Sequence, residues 1–108
     1  MAERQKDVET TISKPVQRLL ADLTGEARFD VALHLAVKDL IRLKLGEAER
    51  QRRAFEERYQ MDFEAFKQAW DEGHVADKHT YEVERDYWEW EAAVTNEERL
   101  RQMLEELL

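Results

Sequence analysis

From Glu26 to Tyr59 the chain contains no proline and a single glycine, Gly46, and its apolar residues Phe29, Leu33, Ala36, Val37, Leu40 and Leu43 return at steps of three and four. That spacing traces one face of a 3.6-residue repeat and predicts a long amphipathic helix. In a chain of 108 residues such an element dominates what can be built. Only three Gly and one Pro occur in all, and alternating or β-branched runs are missing, so turn-rich β architectures have little to work with. The expectation is an all-α fold of three to five helices in a single domain spanning 1–108, with residues 1–12 frayed.

Local signals place the remaining helices. Ser13 reads as an N-cap, with Pro15 in the first turn, Val16, Leu19, Leu20 and Leu23 at helical spacing, and Thr24-Gly25 as the stop. Asp62 caps a helix carrying Phe63, Phe66 and Trp70, which Gly73 closes. Thr80 or Asp77 starts another that runs to about Val94, where Thr95-Asn96-Glu97-Glu98 has the form of a capping box that restarts or continues it. Leu100, Met103, Leu104 and Leu107 form its last stripe. Within the long helix the stripe lapses at Lys44, Glu47 and Gln51, and Gly46 weakens helix locally by about 1 kcal/mol relative to Ala. That helix therefore projects from the core or bends near Gly46, and Leu33, Val37, Leu40, Phe55 and Tyr59 are expected to pair two copies into a dimer.

Charge divides the chain at about the end of that helix. Residues 1–58 hold 12 Lys+Arg against 11 Asp+Glu, a balance of +1, whereas residues 59–108 hold 5 against 14, a balance of -9. Nine of the ten aromatic residues fall between Phe55 and Trp90, so the acidic half is also the aromatic half. Such a surface disfavours nucleic acid and suits a basic protein.

The segment TYEVERDYWEWE, Thr80 to Glu91, concentrates both properties. At about 100° per residue, Val83, Tyr87, Trp90 and Val94 fall in one sector, the expected core face, while Tyr81, Trp88 and Ala92 fall nearly opposite. Glu82, Asp86 and Glu89 run along one flank, Glu84 and Glu91 along the other. A helix apolar on two sides needs cover on both, since a Trp left in water forgoes roughly 2 to 3 kcal/mol of burial. Either Tyr81 and Trp88 pack on another helix of the chain, such as the third, or they anchor a partner, with Glu82, Glu84, Glu89 and Glu91 as charge complement.

Other chemistry finds little footing. There is no Cys; His34, His74 and His79 match no metal-ligand spacing, and no Glu-x-x-His pair occurs for a helical di-metal site. Ser13, the sole Ser, is accounted for as a cap, and no glycine-rich phosphate loop is present. Neither enzyme activity nor a cofactor is expected. Lys38, Arg42, Lys44, Arg50, Arg52 and Arg53 raise nucleic-acid contact as an alternative, but they are spread around the helix among Asp39, Glu47, Glu49, Glu56 and Glu57, without a helix-turn-helix pattern. With neither a signal h-region nor an apolar run of membrane length, no membrane role is expected and the cytoplasm is the expected location.

The run from Tyr59 to Glu91, with Met61-Asp62-Phe63-Glu64, Phe66, Trp70-Asp71-Glu72-Gly73 and Asp77-Lys78-His79-Thr80 leading into the acidic segment, resembles small prokaryotic helical proteins encoded beside ribonuclease toxins. These are regarded as antitoxins of type II toxin-antitoxin pairs, of the TumA-like kind. The resemblance extends from about Asp30 onward. It implies a cytoplasmic protein that neutralises its cognate toxin by direct binding, its acidic aromatic half occupying a basic RNA-binding cleft. Many antitoxins of this type also bind their promoter through an N-terminal region, which here carries no DNA-binding motif. The rival expectations are a self-associating adaptor and a DNA-binding regulator.

Overall fold

A computed structural model describes residues 12–107, and among these every regular element is helical. The order is α1 (Lys14–Thr24), α2 (Phe29–Tyr59), α3 (Phe63–Asp71) and α4 (Tyr81–Glu106). The chain divides into two compact units, residues 1–40 and 41–108, with the division falling inside α2 and not at the compositional break near residue 58. The fraying expected for residues 1–12 falls, Ile12 apart, outside the described residues.

In the first unit, α1 begins and ends on the signals its sequence carries. Ser13 Oγ accepts from the Val16 N–H, Pro15 lies in the first turn, and Gly25 takes a left-handed φ of +73° that lets its N–H bond the Ala21 carbonyl at 2.8 Å. Yet α1 buries none of its residues. The part of α2 in this unit, from Phe29 to Leu40, buries Ala32 and leaves Leu33, Val37 and Leu40 exposed.

The second unit is organised quite differently. Here α2 continues as one helical run through Gly46, the position near which the sequence places a bend or a projection. A methyl group at Gly46 would meet only the end of the flexible Arg50 side chain, at 3.4 Å. After Tyr59, Gln60 adopts a left-handed φ of +56° and the Asp62 carboxylate accepts from the Ala65 N–H at 2.8 Å, starting α3 in a new direction. At the far end of α3, Gly73 has φ +75°, its N–H bonds the Trp70 carbonyl and the His74 N–H bonds the Ala69 carbonyl. This paired arrangement closes the helix through a left-handed residue, which glycine adopts without a Cβ penalty. Thr80 then caps α4 through the Val83 N–H.

Two apolar clusters hold this unit together. One gathers Phe55 of α2, Phe63 and Phe66 of α3 and Trp90 of α4, bordered by Tyr59, Trp70, Val75, Val83, Tyr87 and Val94. The other joins Ile41, Ala48 and Leu100, bordered by Leu45, Leu104 and Leu107. Residues 41–48 in the middle of α2 thus meet late α4 residues while Phe55 and Tyr59 meet Trp90, so the two helices run antiparallel in this unit. The inward residues of α2 are 41, 45, 48, 52, 55 and 59; those of α4 are 86, 90, 93, 97, 100 and 104. Both rows alternate steps of four and three, the period of knobs-into-holes packing. The row of α4 passes without interruption through Thr95–Glu98, which therefore continues the helix and does not restart it.

Candidate protein-binding face on the last helix

The buried side of α4 fixes which residues face outward. Trp90 has no exposed surface and is enclosed by rings: Phe55 and Tyr59 stack on it at centroid distances of 5.6 and 5.7 Å, Phe63 meets it edge-on at 5.5 Å and Phe66 lies 4.9 Å away. Tyr87 is wedged beside Trp70 at 4.7 Å. The predicted core sector of Val83, Tyr87, Trp90 and Val94 is thus the side that packs. Its opposite follows from helix geometry: Trp88 is 68% exposed and Tyr81 75% exposed, and Ala92 is exposed as well.

Two acids lie within the buried row, where an apolar count could not place them. Asp86 is 4% exposed; its Oδ2 accepts from Arg58 Nη1 and from the Tyr59 hydroxyl, each at 2.7 Å. Glu97 is 3% exposed and is gripped from both helices, by Arg52 Nε at 2.6 Å and by Arg101 Nη2 at 2.6 Å. Arg52 also bonds Glu56, and Arg101 reaches Glu49, so the pair sits in a five-member network. A buried carboxylate is tolerable only when paired this fully. Asp86 therefore leaves the acidic flank on which the sequence puts it, and Glu97 serves as an ion-pair partner between helices.

These contacts shift the groups around them. Burial pushes the Tyr59 phenol up to about 12, with the hydrogen bond to Asp86 and its negative charge adding to the effect. Burial likewise raises Tyr87. The hydrogen bond to Glu97 raises Arg52, and that to Asp86 raises Arg58, each guanidinium gaining from the carboxylate it faces.

On the outward face the side chains that remain form an aromatic column between acids. Glu82 and Glu89 stand on one flank and Glu91 on the other, all exposed, with Glu84 half-buried. Arg85 shows in miniature what this surface accepts. Its guanidinium lies 5.9 Å from the centre of the Tyr81 ring, and its Nε is 4.0 Å from a Glu89 carboxylate oxygen. Ring and carboxylate together are the pairing that suits arginine, through cation–π attraction and charge. The 74–80 loop is tied down by a similar device, Lys78 lying 5.2 Å from the Trp70 ring centre while its Nζ donates to the Trp70 carbonyl at 2.7 Å.

Residues 26–108 match the family described as uncharacterized protein MJ0235 family. The chain belongs to the MJ0235 family. The match takes in α2, α3 and α4 with both buried acids and the outward aromatic face, and leaves α1 outside. No curated protein and no solved structure matches the chain.

The five residues assigned to dimerisation separate. Phe55 is buried in the aromatic cluster and Tyr59 packs against it, so neither offers a surface to a second copy; Leu33, Val37 and Leu40 are exposed. The reason is that Trp90 of α4 stacks on both rings and Phe66 of α3 packs on Tyr59, contacts that the periodicity of α2 alone does not encode. Among the basic residues of α2, Arg52 is committed to Glu97 and Glu56. Among the described residues no group of three or more His, Cys, Asp or Glu is placed to hold a metal, and no helix is long and apolar enough to cross a membrane.

Proposed function

We propose that the protein is a non-enzymatic binding module, an antitoxin that neutralises a basic, ribonuclease-type toxin in the cytoplasm through the outward face of α4. The observation that carries this reading is the exposure of Trp88 and Tyr81, 68% and 75%, on a stretch of helix whose other exposed residues from Glu82 to Glu91 are Glu82, Glu89 and Glu91 with Arg85. Large rings left in water forgo burial that a partner would restore, and Trp and Tyr are the residues that most often dominate binding energy. The acids contribute attraction and orientation: residues 59–108 carry 14 acidic against 5 basic residues, a field that speeds encounter with a positively charged cleft. Such a cleft is what a ribonuclease offers to RNA, and a Glu-lined helix competes for it without a cleavable phosphodiester.

The experiment is to mix the chain with the product of the neighbouring gene and measure binding and residual ribonuclease activity. Replacing Trp88→Ala and Tyr81→Ala together should weaken binding at least about 30-fold, the effect of losing one or more anchors worth about 2 kcal/mol each. Far-UV circular dichroism should not change, since neither ring touches the aromatic cluster. Full inhibition by the doubly substituted chain would reject the face.

A further inference from the structure

We infer that residues 12–40 form an interaction surface for a second copy of this chain, a homodimer joined through α1 and the first part of α2. Val16, Leu19 and Leu23 on α1 and Leu33, Val37 and Leu40 on α2 are all exposed, Leu23 at 84%. On each helix they fall at helical spacing, so they make stripes and not scattered contacts. Six such side chains supply apolar surface of the kind that the core of a standard interface, about 800 Å² per partner, buries. A helix of 11 residues with no buried side chain is also too short to be stable by its own hydrogen bonds, which makes cover a requirement for α1 itself.

Three observations select a second copy as the cover. Residues 1–11, MAERQKDVETT, contain only Met1 and Val8 as large apolar residues, too few to cover six aliphatic side chains. Residues 12–40 carry four basic residues, Lys14, Arg18, Arg28 and Lys38, against four acidic ones, Asp22, Glu26, Asp30 and Asp39, so this surface is neutral and has no field to recruit a highly charged partner. Two such surfaces meet without net repulsion, whereas joining two copies through residues 59–108 would bring -9 against -9. A two-fold contact places the same patch on both sides, as a neutral mixed surface allows.

Sedimentation equilibrium of the full chain tests the inference. The expected mass is twice the 12.9 kDa of one chain at micromolar concentration, falling to one chain in the triple variant Leu33→Glu, Val37→Glu, Leu40→Glu with the second unit's near-UV aromatic signal retained. Because the chain has no Cys, Val37→Cys supplies a single thiol. A flexible bis-maleimide should join two copies through it and should not do so through Gln102→Cys. A wild-type chain that sediments as a monomer overturns the dimer, as does a dimer that survives the triple substitution or that cross-links only through Trp88→Cys. A chain that dimerises only after residues 1–11 are removed also overturns it, by showing that the stripe is covered from within. The basic-partner assay reads a different face, so its outcome is independent of this one.

Discussion

The first unit and the second are both helical and both rich in apolar residues, yet one has a core and the other, among its described residues, has stripes. Residues 41–108 close around Trp90 and clamp their helices with Asp86 and Glu97. Residues 12–40 bury Ala32 and leave six aliphatic side chains on the surface. The contrast separates two things that amphipathic spacing alone confuses. Spacing says that a face wants cover; only a third element folding back supplies it. In the second unit α3 does so, through the turn at Gln60–Asp62, and among the described residues of the first unit there is no counterpart to it.

Truncations sharpen the contrast most. Trp90→Ala should destabilise the second unit by about 3 to 5 kcal/mol, since it empties the centre of a stack that five rings share. Urea denaturation followed by near-UV circular dichroism measures this. Glu97→Ala should cost about 2 kcal/mol in the same assay, because Arg52 and Arg101 lose the one carboxylate that both of them grip while Glu56 and Glu49 still pair them. If this variant is as stable as the parent, the network contributes little and the comparison rests on the rings alone. Tyr59→Phe removes a donor to buried Asp86 and should cost about 1 to 2 kcal/mol near neutral pH.

The same tyrosine gives the second unit an alkaline limit. Folding raises its phenol from 10.0 to about 12, so the unfolded chain releases that proton first. The stabilising contribution is complete below pH 10 and declines as pH rises through about 12. Stability measured above pH 10 should therefore fall less steeply in Tyr59→Phe than in the parent, with Tyr87 leaving some slope in both. The smallest effect belongs to the first unit: Leu23→Ala, at 84% exposure, should shift stability by less than about 0.5 kcal/mol at dilutions where single chains prevail. A larger loss would mean that this surface is covered within one chain.

Much of this was legible in the sequence wherever the cause is local. Ser13, Gly25, Asp62, Gly73 and Thr80 act through atoms within a few residues of themselves, and the structure uses each as a cap or a left-handed stop. The outward position of Trp88 and Tyr81 also follows from rotation about one helix axis. Asp86 and Glu97 were not legible, because a helical wheel scores an acid as solvent-facing whatever stands opposite. Their partners Arg58, Tyr59 and Arg52 lie 28, 27 and 45 residues away. A usable signal exists, however: both acids sit on the four-three row that also holds Trp90, Ala93 and Leu100, and Arg52 sits on the matching row of α2. Phe55 and Tyr59 misled for the same reason, since their apolar character shows that they are covered but not by which element.

The two buried carboxylates also set a frame of reference along α4. Sliding that helix by seven residues would keep its four-three rhythm and most of its greasy contacts, so rhythm by itself tolerates the slip. It would also bring an indole up to Arg52 and carry Glu97 beyond the reach of that guanidinium, stranding charge in a dry seam. The lateral bonds thus work as notches on a ruler, and it is this alignment that determines where along the molecule Trp88 comes to stand.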